Sequence, residues 1–236
     1  MSGETYDFLA QFGVVDFDWS HMSDTWANEK PMTCEESLVE AATEMKRVSP
    51  TTKVWVYRNL VKALPWFTTA RVALDNSSVN GSWFLPFGIP SPTVPTCTTS
   101  DGETKCSDLY HDQEHRVPSY PGECHSACDC GEKPCGEYLW DHARGGKALQ
   151  SYLLDFVLGP TGLGNEMIDG FWLDDFWVTS AQPVHRGVHW CFNTPGGGPS
   201  EIEAHCREDM NMSDAGVVAQ YDAWNDTIEA VHKGIL

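Results

Sequence analysis

Three short apolar runs in this chain end in polar side chains. They span residues 12–19, 53–59 and 168–175, and each has the length and composition of a buried strand. Between the first two, residues 34–48 carry apolar side chains at spacings of three and four, which predicts an amphipathic helix. Strands that alternate with helices favour a parallel sheet with right-handed crossovers. The polar strand ends should therefore meet at one edge of that sheet, where ligands bind in such folds.

The other elements are predicted from the same two periodicities. Further helices are expected at residues 60–74 (interrupted near Pro65), 146–158 and 214–233. Further short strands are expected at residues 82–87, 107–112 and 136–141. The fold class is therefore α/β, as a single (β/α)8-barrel-like domain over residues 1–236. Since only five or six strands are identified where a barrel has eight, three alternatives are open: a fragment of a longer barrel, an incomplete barrel, or a complete barrel with unrecognised strands.

Two long loops interrupt this pattern. A cysteine-rich insertion is expected at residues 88–136 and a second loop insertion at residues 178–213. The nine cysteines are at positions 34, 97, 106, 124, 128, 130, 135, 191 and 206, and glycosylation sequons begin at positions 76, 80, 211 and 225. Together they predict a disulfide-bonded glycoprotein that is secreted or lies in the lumen of the secretory pathway. The odd cysteine count leaves one thiol free or paired outside the chain.

Charge and motif content argue against several classes of protein. The formal net charge of -19 disfavours binding to nucleic acid and to anionic membranes, because both require a basic surface. No run of 18 apolar residues occurs, so no transmembrane helix is expected. The glycine-rich residues 159–164 precede a strand instead of following one, which indicates a loop and not a phosphate site. No Gly-X-Ser-X-Gly elbow of a serine hydrolase is present, no cofactor is expected, and the sequence does not determine the oligomeric state.

Carboxylates at the predicted strand ends indicate a chemistry. They are Asp16, Asp18, Asp112, Asp141, Asp174 and Asp175. Glycoside hydrolysis needs two carboxyl groups, one as nucleophile or base and one as proton donor to the leaving group. Aromatic side chains close to these acids would stack on the C–H faces of a sugar, namely Trp19, Tyr57, Trp66, Trp172 and Trp177. Each ring could instead fill the core, and each acid could instead cap a helix or pair with an arginine.

The segment that ends in Asp174 resembles a known enzyme family. Residues 138–141, the helix after them and residues 168–174 (Ile-Asp-Gly-Phe-Trp-Leu-Asp) are similar to glycoside hydrolase barrels, in particular family 31 and clan D. The resemblance implies a sugar-cleaving barrel in which Asp174 is the nucleophile and the acid/base comes from a later strand. The family pattern continues with Met-Asn-Glu, whereas this chain continues with Asp175, Phe176 and Trp177. The rest of the chain resembles secreted proteins of unicellular algae, which implies no particular activity.

The sequence therefore predicts hydrolysis of a glycosidic bond in a carbohydrate substrate. Asp174 is the expected nucleophile or primary carboxylate and Asp175 a helper or structural acid. Candidates for a second carboxylate or for substrate contact are Asp16, Asp18, Asp112, Arg58 and His111.

Two alternatives remain open. One is a carbohydrate-binding protein that keeps the cleft but lacks the proton donor. The other is a metal-dependent hydrolase that uses His111, Asp112 and His115, since the two histidines are four residues apart and would share a helix face. No third ligand follows at a recognised spacing, and we expect no metal.

Overall fold

The computed structural model describes residues 3–19, 33–86, 96–99, 102–105, 109, 138–175, 177–178, 187–188 and 213–235. In chain order the helices are α1 (Gly3–Leu9), α2 (Cys34–Val48), α3 (Thr68–Asp75), α4 (Asn80–Trp83), α5 (His142–Leu158) and α6 (Asp214–Ile235). The strands are β1 (Val14–Phe17), β2 (Lys53–Asn59), β3 (Lys62–Ala63), β4 (Thr96–Thr99), β5 (Gly102–Lys105), β6 (Tyr138–Leu139), β7 (Gly170–Asp174), β8 (Trp177–Val178) and β9 (Gly187–Val188).

A three-stranded parallel sheet, in the order β1-β2-β7, is the centre of the fold. Phe17 lies opposite Val56 at the end of the β1–β2 pair, and Asn59 lies opposite Asp174 at the end of the β2–β7 pair. The remaining strands form two-stranded antiparallel pairs, β3–β6, β4–β5 and β8–β9. The predicted α/β class and the parallel sheet are confirmed. The strands of the described ranges do not close a barrel.

Helices cover one face of the sheet. Helix α2 packs against β1 and β2, and its residues Leu38 and Met45 join Val54 and Val56 in one buried cluster. Because side chains alternate along a strand, these two valines and Arg58 share that face. Helix α5 reaches the same side, where Phe156 contacts the Arg58 guanidinium.

Helix α6 is attached to the start of α5 through buried polar contacts. The imidazole of His142 lies 2.7 Å from the Leu60 carbonyl oxygen through Nε2 and 3.3 Å from the Thr227 hydroxyl through Nδ1. Gln220 donates a hydrogen bond to the Asp141 carboxylate. Burial lowers the pKa of His142 to about 4, although the contact with Leu60 opposes this change. The neutral imidazole therefore joins α5 and α6 to the segment that follows β2.

The structure changes two of the predicted elements. The predicted helix at residues 60–74 begins only at Thr68, because residues 62 and 63 form β3 instead. The side-chain oxygen of Asn59 accepts hydrogen bonds from the backbone N–H groups of Val61 and Lys62, which turns the chain away from a helical path. The predicted strand at 82–87 is replaced by α4 and isolated bridges at Phe84 and Pro86.

Cys34 is a free thiol buried at the start of α2, and burial raises its pKa. The other eight cysteines and most of the two insertions lie outside the residues whose side chains the structure describes, so the predicted disulfides stay a prediction. No helix within the described ranges has both the length and the apolar character needed to cross a membrane.

Candidate functional site

The carboxyl edge of the sheet brings together polar side chains from two neighbouring strands. Tyr57 and Asn59 come from β2, and Asp174 ends β7, opposite Asn59. Asp175 follows immediately. Tyr57, Asn59 and Asp174 share one face, because register partners and every second residue of a parallel pair point the same way. Two segments more than 100 residues apart therefore supply one cluster.

A chain of hydrogen bonds connects these side chains. The Tyr57 hydroxyl donates to Oδ2 of Asp174 over 3.1 Å. The Asn59 amide nitrogen donates to the Tyr57 oxygen over 2.9 Å and to Oδ2 of Asp175 over 2.8 Å. Both predicted carboxylates are thus linked through an amide and a phenol. A change at Asn59 would therefore affect both acids.

Asp175 has a different environment from Asp174. Its backbone adopts a left-handed conformation with φ of 56°, which costs energy in a residue other than glycine. Its carboxylate accepts the Asn59 hydrogen bond and lies 3.7 Å from the Lys62 ammonium. These contacts stabilise the turn that follows Asp174. They agree with the structural role expected for Asp175, and its role as a helper acid stays a prediction.

Tyr57 is buried, whereas Asp174 is exposed. Only 4 % of Tyr57 is accessible, and its ring lies 6.2 Å from that of Phe67. Burial raises the pKa of Tyr57 well above its usual value, and the Asp174 charge adds to this effect while the Asn59 hydrogen bond opposes it. The hydroxyl therefore keeps its proton and acts as a hydrogen-bond donor. Asp174 is left in contact with solvent at the end of β7.

The sheet face on which Asp174 lies carries exposed aromatic rings. Trp55 is 39 % exposed and Trp172 is 55 % exposed, and Trp172 is in register with Tyr57. The indole of Trp55 covers Gly170, since a Cβ atom at that glycine would lie 2.7 Å from the indole nitrogen. Asp16 is exposed on β1 in register with Trp55. This face, defined by Asp16, Trp55, Trp172 and Asp174, is called the open face below.

Asp169 lies at the opposite end of β7 and has charged partners. Lys46 from α2 and Lys53 from β2 approach its two carboxylate oxygens at 2.5 and 2.8 Å, and the Val54 N–H donates over 2.9 Å. Partial burial on its own would raise the pKa of Asp169, but these three donors lower it to about 2. Asp169 therefore ties α2, β2 and β7 together.

Arg58 does not reach the site. It is 1 % exposed, and its guanidinium donates to the carbonyl oxygens of Tyr57, Phe156 and Thr161. It also lies over the ring of Phe67. Burial lowers the pKa of Arg58 to about 10, although nearby glutamates oppose this change. Substrate contact at Arg58 would require the core to open, because alternation along β2 directs this residue away from Tyr57 and Asn59.

Two other predicted residues follow β1. Asp18 is half-buried and lies two residues beyond Asp16, and the Trp19 ring packs 4.9 Å from that of Trp66. Trp19 and Trp66 thus form a tilted pair near the edge of the sheet. His111, Asp112 and His115, and the side chain of Trp177, lie outside the described residues. Their proposed roles remain predictions.

Asp141, another strand-end acid, caps a helix. Its carboxylate accepts the Arg144 backbone N–H over 2.9 Å at the start of α5. Burial raises the pKa of Asp141, and the hydrogen bonds from Arg144 and Gln220 oppose this change. A cavity of about 230 Å³ lies beside it, between α5 and α6, and includes Pro86. Within the part of the chain that the structure describes, no group of three or more His, Cys, Asp or Glu residues could hold a metal ion.

Asn59 and Lys62 were missed by the sequence-based prediction. The sequence indicated a possible role for Asn59 only through its position, because Asn59 is the last residue of a predicted parallel strand. Its role became visible only with its partners Tyr57 and Asp175, because an amide at a strand end has no characteristic sequence pattern. Lys62 gave no signal, since it was assigned to a helix.

Comparison with known proteins does not identify a family. No protein-family model matches the chain, and no curated protein matches it. The function is therefore inferred from the residues of the carboxyl edge and the open face.

Proposed function

We propose that this protein cleaves a glycosidic bond, with Asp174 as the nucleophile or primary carboxylate. The observation that supports this proposal is the exposed Asp174 carboxylate at a strand end, held through one oxygen by the neutral Tyr57 hydroxyl and adjacent to the exposed Trp172. Among the described residues, no hydrogen bond is donated to Oδ1 of Asp174. That oxygen is therefore available to a sugar stacked on Trp172.

The reaction needs a second carboxyl group that supplies a proton to the leaving oxygen. Asp18 is the described acid that best fits this role. Neighbouring strands are about 4.8 Å apart, which places β1 roughly 10 Å from β7, and Asp18 continues β1 to about the level of Tyr57. Asp174 is in register with Asn59, two residues beyond that level, so the two Cα atoms would be roughly 12 Å apart, and side chains that extend towards each other would have the separation of an inverting pair, about 6.5–9.5 Å. In such a pair Asp174 is the primary carboxylate that activates water as a general base, whereas the role of nucleophile would require a closer proton donor. Asp112 remains an alternative donor.

We further propose that the three parallel strands are part of a (β/α)8-barrel wall. Support comes from strands that follow sequence order in the sheet, with α2 and α5 on the same face. In a barrel the open face would be the interior, and its carboxyl edge would be the catalytic end. Asp174 then occupies the place where barrel enzymes have their catalytic residues.

The proposal is tested by a glycan-panel hydrolysis assay on the wild type and on Asp174→Asn, with binding measured in parallel. Asp169→Asn is the matched control, because it makes the same substitution at the other end of β7. We expect Asp174→Asn to lose turnover and keep binding, and Asp169→Asn to keep turnover. Turnover that survives in Asp174→Asn would refute the assignment.

A second candidate function is carbohydrate binding without hydrolysis. It is favoured by the contacts of Asp175, since its Oδ2 accepts the Asn59 hydrogen bond and lies 3.7 Å from the Lys62 ammonium, and an acid engaged in this way is poorly placed to be the proton donor. Glycan binding by the wild type with no turnover at any pH would establish this alternative. Absence of both binding and turnover would exclude the two candidates together.

A further inference from the structure

The amide of Asn59 has only one orientation that satisfies its neighbours. Its Oδ1 accepts hydrogen bonds from the backbone N–H groups of Val61 and Lys62, over 2.9 and 2.7 Å. Because both partners are donors, the oxygen of the amide must face them. The nitrogen Nδ2 therefore faces Tyr57 and Asp175. Asn59 is 2 % exposed, so solvent does not compete for these positions.

This orientation determines where the Tyr57 proton lies. The two hydrogens of Nδ2 go to the Tyr57 oxygen and to the Asp175 carboxylate. An amide nitrogen donates and does not accept, so the Tyr57 hydroxyl cannot donate to Asn59. Its single hydrogen is then directed to Oδ2 of Asp174. The chain of hydrogen bonds consequently runs in one direction, from Asn59 through Tyr57 to Asp174.

We propose that Asn59 is a positioning residue that fixes this direction, so that Tyr57 is always the donor to Asp174 and the second oxygen of Asp174 is presented to the sugar. The inference rests on the proposed function. Asn59 acts through Tyr57 and does not touch the substrate. It also holds Asp175 in the left-handed turn after Asp174, so one amide orients the catalytic carboxylate from both sides.

The substitution Asn59→Asp tests this proposal. It keeps the oxygen that accepts the two backbone N–H groups but replaces the amide donor with a second acceptor. The Tyr57 hydroxyl can then donate to the introduced carboxylate instead of to Asp174, and a further negative charge lies close by. We expect kcat to fall about a hundredfold with KM nearly unchanged.

A second measurement does not depend on activity. The carbon-13 chemical shift of the Asp174 carboxyl group is measured by NMR at neutral pH and assigned with Asp174→Asn. We expect this chemical shift to change in Asn59→Asp and in Tyr57→Phe, because each removes the donor to Asp174. The double variant should change it little further than Asn59→Asp alone, since both substitutions act on one hydrogen-bond chain. The matched control is Asn165→Asp, which adds the same charge at an amide bonded only to backbone groups.

The outcomes separate this inference from the proposed function. An unchanged Asp174 chemical shift in both Asn59→Asp and Tyr57→Phe, with thermal stability as the only change, would show that Asn59 merely holds the turn after β2, and it would overturn the inference. A changed chemical shift in a protein that hydrolyses no glycan would support the directed hydrogen-bond chain and overturn the proposed function. A change of equal size in Asn165→Asp would attribute the effect to net charge and also overturn the inference.

Discussion

Asp169 and Asp174 lie at the two ends of one short strand and have opposite surroundings. Asp169 is contacted by two ammonium groups and a backbone N–H. Asp174 accepts one hydrogen bond from an uncharged phenol and is exposed on the open face. A carboxylate neutralised by two cations is an attachment point between elements. One that is held by a neutral donor keeps its charge available to a substrate.

The largest expected effect comes from Asp174→Asn. Loss of the primary carboxylate should reduce kcat/KM about 10⁴-fold, as in other hydrolases that lose one acidic catalytic residue. The melting temperature should change little, because Asp174 is exposed and has a single described hydrogen-bond partner. Steady-state kinetics and thermal unfolding measured on the same preparation provide the check. If the melting temperature of Asp174→Asn falls as much as that of Asp169→Asn, the proposed difference between the two residues is wrong.

Asp169→Asn should lower the stability of the protein and leave its activity unchanged. The substitution removes one ion pair to the largely buried Lys46 and one to the exposed Lys53, while the asparagine oxygen can still accept hydrogen bonds, so we expect a loss of about 1 kcal/mol in the free energy of unfolding. For a chain of this size that corresponds to about 2–4 °C in melting temperature. Activity per folded molecule should be unchanged. Chemical denaturation together with active-site-normalised kinetics would show whether both statements hold.

The ion pairs of Asp169 also predict that its contribution to protein stability depends on pH. The pKa of Asp169 in the folded protein is about 2, below the ordinary value of 3.8, so its contribution to stability is present above about pH 4. It is lost as the pH falls from about 4 towards 2, because the folded state must then take up a proton. The stability difference between the wild type and Asp169→Asn should therefore shrink over that window. A difference that stays constant down to pH 2 would contradict the ion pairing.

The smallest expected effect concerns the open face. Trp172→Ala should raise the Kd for a bound glycan about fivefold, which is roughly 1 kcal/mol, and Trp55→Ala should raise it less. Trp172 is two residues from Asp174 in a strand, whereas Trp55 lies further from the carboxyl edge and covers Gly170. Calorimetric titration of both variants gives the comparison. A larger increase in Kd for Trp55→Ala than for Trp172→Ala would indicate that the glycan binds further from Asp174.

Local patterns predicted much of the fold. The helix at residues 34–48 and the strand at residues 53–59 were expected with the bounds that the structure gives. Helix α5 was expected from Gly146, where the structure has a kink with a φ of 53°, and one more turn precedes it. These elements follow from periodicity and from glycine and proline signals, which depend on neighbouring residues only. The β3 strand was not expected, since it depends on pairing with β6.

Side-chain roles were predicted less well, for a physical reason that Arg58 illustrates. Its position at a strand end suggested substrate contact, but alternation along β2 directs it into the core between Phe67 and Phe156. Asp174 and Asp175 both suggested catalysis, yet one is exposed and the other is held by Asn59 and Lys62. Composition alone cannot distinguish these environments, because the partners come from other elements.

The sequence by itself determined the three strands of the parallel sheet, helix α2 between the first two and the polar character of the strand ends, because short-range spacing encodes which face of an element is apolar. Only the tertiary structure decided which polar ends meet. The Tyr57 hydroxyl and the Asp174 carboxylate are 117 residues apart in the chain, and the register of β2 with β7 brings them within 3.1 Å. Register is set by packing of the whole sheet, so the pairing that defines the candidate site is a property of the folded molecule.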